Sequence, residues 1–148
     1  MVIGVDMAEY ETIDVVGVLP VEEAPSGEIL YLMGVRAKEP EKGKWVFPTE
    51  KRERIERAME EPEDAVCRCM MEELGVYVRD ITPLYDLSWR NGGQLYQGPV
   101  YSCRICSGVP SVVDRTEFFE LGWFTLEQMH GLDVSGYTAR AIEALRGK

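Results

Sequence analysis

The stretch Ala65-Val66-Cys67-Arg68-Cys69-Met70-Met71-Glu72-Glu73-Leu74-Gly75-Val76 decides how the chain is read. Just ahead of it, Pro62 suits the first helical position, and Glu63 and Asp64 suit the positive end of a helix dipole. Val66, Met70 and Leu74 then recur every fourth residue as an apolar stripe. Cys67 and Met71 widen that stripe, so the helix is expected to be packed on more than one side. Gly75 is placed to close it as a left-handed cap. At about 3.6 residues per turn, Cys69, Glu72 and Glu73 project from one face. Adjacent carboxylates on one face repel each other and call for either solvent or a cation. A hard divalent ion takes a few carboxylates together with water and phosphate oxygens, which suits this face. Arg68, one helical turn before Glu72, is placed to hold that carboxylate deprotonated and aimed.

Further residues stand in register with the helix. Glu60, Arg68, the pair Glu72-Glu73 and the closing Gly75-Val76 together resemble the Nudix box, G-x5-E-x7-R-E-U-x-E-E-x-G-U with U a bulky aliphatic residue. Two positions depart from it: Arg54 stands at the leading glycine, and Cys69 at the glutamate after the arginine. Trp45-Val46-Phe47-Pro48 resembles the W-x-x-P strand end of that family, with Thr49-Glu50 where two glycines normally follow. Glu117-Phe118-Phe119-Glu120-Leu121-Gly122-Trp123-Phe124 is similar to its late E-x-x-E-x-x-W-F strand. The resemblance, which runs from roughly residue 10 to the C-terminus, implies the Nudix fold, an α/β architecture with a mixed β-sheet sandwiched between α-helices, and the chain length implies a single domain spanning residues 1–148. Gly43-Lys44-Trp45 adds a weaker likeness to the GDP-mannose mannosyl hydrolases, which also lack the glutamate after the arginine.

The resemblance also implies chemistry. Glu72, Glu73 and Glu60 would ligate a divalent cofactor, Mg²⁺ or Mn²⁺, with Arg68 holding the carboxylates. Glu73, Arg68 and one of Glu117 or Glu120 would form the catalytic set. The implied reaction is hydrolysis of a nucleoside diphosphate linked to another moiety. In many members the glutamate missing at Cys69 binds metal and often activates the attacking water. A thiolate is a softer donor that suits Zn²⁺ better than Mg²⁺. General-base catalysis is worth about 10²–10⁴-fold, so its loss motivates a second reading, a catalytically inactive Nudix-fold module that binds a nucleotide or a protein. A third reading is an unrelated α/β protein with a chance match.

Composition bounds these readings. A chain of 148 residues with 45% hydrophobic content can bury one real core. Its net charge of -10 argues against binding a nucleic-acid polymer, which needs many basic contacts, while leaving a small nucleotide accessible through a metal. There is no apolar run long enough for a membrane span and no basic, apolar leader at the N-terminus, so a cytoplasmic location without membrane association is expected; a homodimer is left open. The four cysteines, as Cys67/Cys69 and Cys103/Cys106, do not have zinc-knuckle spacing and are expected to be buried free thiols.

Outside the box, Glu11 to Val21 and Glu28 to Val35 read as strands joined at Pro25-Ser26-Gly27, and Lys44 to Phe47 as a short strand. Val76 to Trp89 is expected to be extended and broken near Pro83, with Arg90-Asn91-Gly92-Gly93 turning into a strand from Leu95 to Cys106. Glu117 to Phe124 reads as the last strand and Val134 to Leu145 as a helix. Residues 50 to 59 carry acid-before-base pairs at helical spacing after Thr49, which predicts a short charged helix. From this region Lys44, Lys51, Arg52 and Arg54 are candidates for reaching substrate phosphates. Trp89, Tyr96, Tyr101 and Phe118 are candidate stacking partners for a base, Trp89 first among them. His130, the single histidine, is expected at the surface.

Overall fold

The computed structural model describes residues 11–56 and 58–147. Strand β1 (Glu11–Glu23) is buried without interruption from Val15 to Pro20, as befits a strand covered on both faces. It turns through Pro25-Ser26-Gly27 into β2 (Ile29–Arg36), which pairs with it antiparallel near the turn. Beyond that, β1 pairs antiparallel with β4 (Thr49–Lys51) and parallel with β8 (Gln94–Ser107). Strand β2 meets β3 (Trp45–Val46) on one side and β9 (Phe118–Phe124) on the other. The hairpin of β7 (Tyr77–Asn91) and β8 turns at Gly92-Gly93 and completes a mixed seven-stranded sheet.

Helices flank this sheet. Helix α1 (Pro62–Leu74) packs on β1, β4 and β7, whereas α3 (Gly136–Arg146) packs on β7 and β3, with the one-turn α2 (Leu126–Met129) beside it. Helix α1 begins and ends as expected, with Pro62 in its first turn and Gly75 at φ 71°. The two amides after its last turn, those of Gly75 and Val76, return to Met71 and Met70 carbonyls. Its buried side chains Ala65, Val66, Cys69, Met70 and Leu74 join the main core formed with β1, Val46, Phe47 and Val100, and Glu73 is buried beside them. A smaller cluster of Met33, Met129 and Ile142 seals α2 and α3 against β2. Among the described residues, no helix is long and apolar enough to cross a membrane.

Three local expectations are corrected. Residues 50 to 59 form no helix: Thr49–Lys51 joins the sheet as β4, and Arg54–Ile55 pairs with Ala58–Met59 as a small hairpin, β5 and β6. Of the acid-before-base pairs expected there, Glu50 to Arg54 and Glu53 to Arg57, the partner Arg57 lies outside the described residues. Charge pairs at helical spacing contribute only about 0.2–0.5 kcal/mol each, and a ladder with β1 outcompetes them by satisfying main-chain groups. At Pro83, strand β7 is not broken; it continues with register shifts on either side, which absorb the missing amide as bulges do. All four cysteines are free, but Cys67 and Cys106 are exposed, so only Cys69 and Cys103 fit the expected burial.

Candidate functional site

The middle of α1 is tied to the segment before the helix by one arginine. Arg68 donates from Nε and one terminal nitrogen to the two oxygens of Glu60, at 3.1 and 3.0 Å, and from that same terminal nitrogen to the Lys51 carbonyl at 2.8 Å. Its other nitrogen lies 3.3 Å from Glu72, 3.4 Å from Glu53 and 3.8 Å from Glu50. Such a two-pronged pairing uses the planar fork of guanidinium and is among the strong charge-assisted bonds. The Glu60 contact dominates the rise in the Arg68 pKa, and the same bond holds the buried Glu60 carboxyl below the usual carboxylate range. Glu60 also accepts the Glu53 amide at 3.0 Å. Glu60 and Glu72, both expected as metal ligands, thus spend their carboxylates on Arg68. Glu72 is largely exposed beside it.

Glu73 turns the other way, into the protein. Only 3% exposed, it lies against the fully buried Cys69, whose thiol donates to a Glu73 oxygen at 2.7 Å. Across from them stands Glu50 on β4, and one donor atom from each of Glu50, Cys69 and Glu73 lies within 4.8 Å of the others. Burial pushes the Glu73 carboxyl up to about 8, with Glu50 and Glu117 adding to the rise while the thiol bond and Lys38 oppose it. Burial likewise raises Glu50, against the pull of Arg68, and raises the Cys69 thiol, with Glu73 adding to it. Two carboxylates and a thiol converging from two elements form a donor set that fits a divalent cation. Such an ion would offset the burial that raises both carboxyls and the smaller repulsion that adds to it.

Through Glu50 the cluster borders a cleft. A concavity of about 410 Å³ is lined by Glu50, Lys51 and Thr49 from β4, Arg36 at the end of β2 and Lys38 after it, Tyr96 from β8, and Glu117. That size lies within the range of about 300–1,000 Å³ typical of small-molecule sites. Lys38 pairs with Glu117 and keeps that carboxylate at the cleft wall. Val15, Arg36, Pro40, Thr49 and Tyr96 also line an adjoining apolar recess, closed by Leu87, Trp89 and Tyr137. Trp89 is held from behind: the Arg140 guanidinium lies 5.2 Å from its ring centre, and Gly136 at the start of α3 leaves room for the indole that any Cβ would fill.

The structure therefore gathers part of the expected set. Glu73, Cys69, Glu117 and Trp89 converge on the cluster or its cleft, and Arg68 stands behind them. Glu120 is exposed on β9, because the register shift opposite Val35 and Arg36 turns it away while Phe118 enters the core. Lys44 pairs with Glu41 at 3.1 Å, Arg52 donates to the Glu60 carbonyl at 3.0 Å, and Arg54 is exposed on β5; none of the three lines the cleft. Tyr96 borders the recess, whereas Tyr101 is core. His130 is exposed. Glu50, Arg36 and Lys38 are site residues that the sequence reading missed. For Glu50 the signal was its place two residues after Pro48, where the family pattern brings bare backbone to the site.

Comparison with known proteins places this geometry. A sequence model of the NUDIX domain matches residues 12–144. The crystal structure of a MutT NUDIX hydrolase from Burkholderia pseudomallei superposes with a TM-score of 0.79 at 29% identity, covering 90% of this chain and 98% of that one. The NUDIX domain of Shewanella oneidensis NrtR, determined in complex with ADP ribose, gives a TM-score of 0.75 at 17% identity, covering 99% and 98%. A binary complex of the C. elegans Ap4A hydrolase gives 0.70 at 14% identity, covering 91% and 96%. No curated protein matches the chain in sequence.

Proposed function

Because the chain belongs to the Nudix family, we propose that it is a divalent-metal-dependent hydrolase of a nucleoside diphosphate linked to another moiety. The observation that carries this reading is the continuity of one cleft, which joins Glu50, the member of the acidic cluster at its wall, to an aromatic recess at Trp89 and Tyr96. A pyrophosphate laid along the wall between them would meet the cationic side chains of Arg36, Lys38 and Lys51, while a base would reach the recess. Stacking on an aromatic ring there is worth about 1–3 kcal/mol. Glu73 and Glu50 would hold the metal, Mg²⁺ or Mn²⁺ on the family resemblance, with Arg68 fixing the helix that carries Glu73. When bound, the ion polarises the phosphoryl oxygen and lowers the pKa of water. Glu117, at the cleft wall with Lys38 as its partner, is the carboxylate placed to accept a proton from that water. The net charge of -10 supports a small nucleotide rather than a polymer as the partner.

The test is a panel of nucleoside diphosphate derivatives, including ADP-ribose and a dinucleoside tetraphosphate, incubated with Mg²⁺ or Mn²⁺ and followed by chromatography of the products. Turnover of one substrate at enzyme-like rates, abolished by Glu73→Gln, is expected. The buried thiol at Cys69, where many relatives keep a carboxylate, favours one rival, an inactive module that binds a nucleotide or a protein. Calorimetric binding of a panel member without product formation would select that rival.

A further inference from the structure

The donor set is not the all-oxygen one a magnesium site uses, and the difference points to which metal it takes. We infer that Cys69 Sγ is itself a ligand and that, with Glu50 and Glu73, it forms a mixed oxygen–sulfur site selecting a thiophilic divalent cation such as Zn²⁺ or Co²⁺ over Mg²⁺. This rests on the proposal that the cluster binds a metal, and it deepens that proposal by assigning the ligands and the class of ion.

Three observations carry it. Cys69 is completely buried and its sulfur points at the two carboxylates, with one donor atom of each residue within 4.8 Å of the others, a spacing that a single ion can bridge by small side-chain adjustments. Glu73 is only 3% exposed, and among the described residues the sole hydrogen bond reaching its carboxylate comes from that thiol. A thiol is a weak donor, and a buried carboxylate so poorly supported is costly unless a cation completes it. Finally, Glu50 comes from β4, opposite the helix, so the three donors approach from two sides, as ligands around one ion must. The nearest cationic groups are mostly engaged elsewhere: Lys38 pairs with Glu117, and Arg68, which reaches Glu50 at 3.8 Å, also holds Glu60, Glu53 and Glu72. Sulfur is a soft ligand that Mg²⁺ disfavours and Zn²⁺ or Co²⁺ accepts. Coordination would release the thiol proton to solvent and leave the thiolate on the ion.

Cobalt titration of the full chain tests this directly, because a Co²⁺–thiolate bond produces a near-ultraviolet charge-transfer band that oxygen ligands do not. The protein carries Cys67→Ser and Cys106→Ser, which remove the two exposed thiols. The band is expected at one equivalent of Co²⁺ and should vanish in Cys69→Ser. Calorimetry should show Zn²⁺ binding more tightly than Mg²⁺, with that preference falling roughly 10–100-fold in Cys69→Ser and Glu50→Gln weakening both ions. Cobalt binding without the band, no cobalt binding, or a band that survives Cys69→Ser overturns the inference. The first two outcomes need no variant at position 69 to fold. Hydrolysis supported by Mg²⁺ with no cobalt band would leave the proposed activity standing and sink this one. A band with no nucleotide turned over would do the reverse.

Discussion

Replacing Glu73 with glutamine is expected to stabilise the metal-free protein while abolishing turnover. Glu73 is 3% exposed, and its carboxyl is pushed up from 4.5 to about 8 by burial, reinforced by Glu50 and Glu117. A raised pKa means that the native state prefers the protonated acid, so the unfolded chain ionises first as pH rises. The native state then binds more protons than the unfolded one between pH 4.5 and about 8, and stability falls across that window. At pH 7 the native state has lost roughly 3 kcal/mol relative to its acid form, from about 2.5 pH units at about 1.36 kcal/mol each. Glutamine keeps the shape and an oxygen for the Cys69 thiol, and it cannot ionise. In chelator, urea denaturation at about pH 7 should show Glu73→Gln more stable by about 2–3 kcal/mol, or roughly 5–10 °C in Tm. Near pH 4.5 the two proteins should be close to parity. A saturating divalent ion should reverse the order, since only the wild type gains fully from binding. The reasoning is refuted if the variant is no more stable at pH 7, or if its advantage does not shrink on acidification.

The opposite pH dependence belongs to Glu60, whose carboxyl is held low by Arg68: its contribution is present above the unfolded value near 4.5 and is lost as pH falls through the depressed native one. Glu60→Gln should therefore cost about 1.5–3 kcal/mol at neutral pH and nothing near pH 2, read from urea midpoints; equal losses at both would contradict it. Arg68→Lys should lower the thermal midpoint by several degrees, because one ammonium cannot bond both Glu60 oxygens and the Lys51 carbonyl; an unchanged melt would show the fork to be dispensable. Gly136→Ala should displace the Trp89 indole that packs on it and weaken nucleotide binding roughly 10–100-fold, with metal affinity unchanged by calorimetry; unaltered nucleotide affinity would remove Trp89 from the site.

How much of this could be read in advance depended on whether the determining interactions are local. Helix α1 was legible from Pro62 to Gly75 because its start, its apolar stripe and its cap all lie within the segment. The turn at Gly92-Gly93 and the strands either side of Gly27 were legible for the same reason. Residues 50 to 59 were misread because their fate is decided by β1, far away in sequence, which offers Thr49–Lys51 a ladder that local charge spacing cannot reveal. Missing Glu50 followed directly, since a strand aims it at Cys69 and the expected helix gave it no such target. The spacing of Cys69, Glu72 and Glu73 suggested one shared face, but only Cys69 and Glu73 turn inward together, while Glu72 stays exposed beside Arg68, which periodicity alone could not tell. Arg36 and Lys38 lie in no motif and reach the cleft only because β2 ends there.

Two of the departures from the family pattern, Glu50 and Cys69, face each other, and their chemistry makes sense as a pair. A glutamate at position 69 would place a third carboxylate in a site with 0% exposure, beside Glu50 and Glu73. Two unit charges about 4 Å apart repel by about 4 kcal/mol at an effective dielectric near 20, and that third carboxylate would meet two such neighbours. The thiol keeps a donor atom in place without adding that charge while it remains protonated, as its burial favours. Conversely, a bare backbone at position 50 would leave Glu73 with sulfur as its only partner and the cluster one carboxylate short. Glu50 restores that carboxylate from the opposite wall, and its place 3.8 Å from Arg68 lets the arginine that secures Glu60 and Glu72 offset part of the relocated charge. The acidic character of the site is thus moved from helix to strand rather than lost. That relocation separates the fate of the metal site from the fate of the residue that follows the arginine.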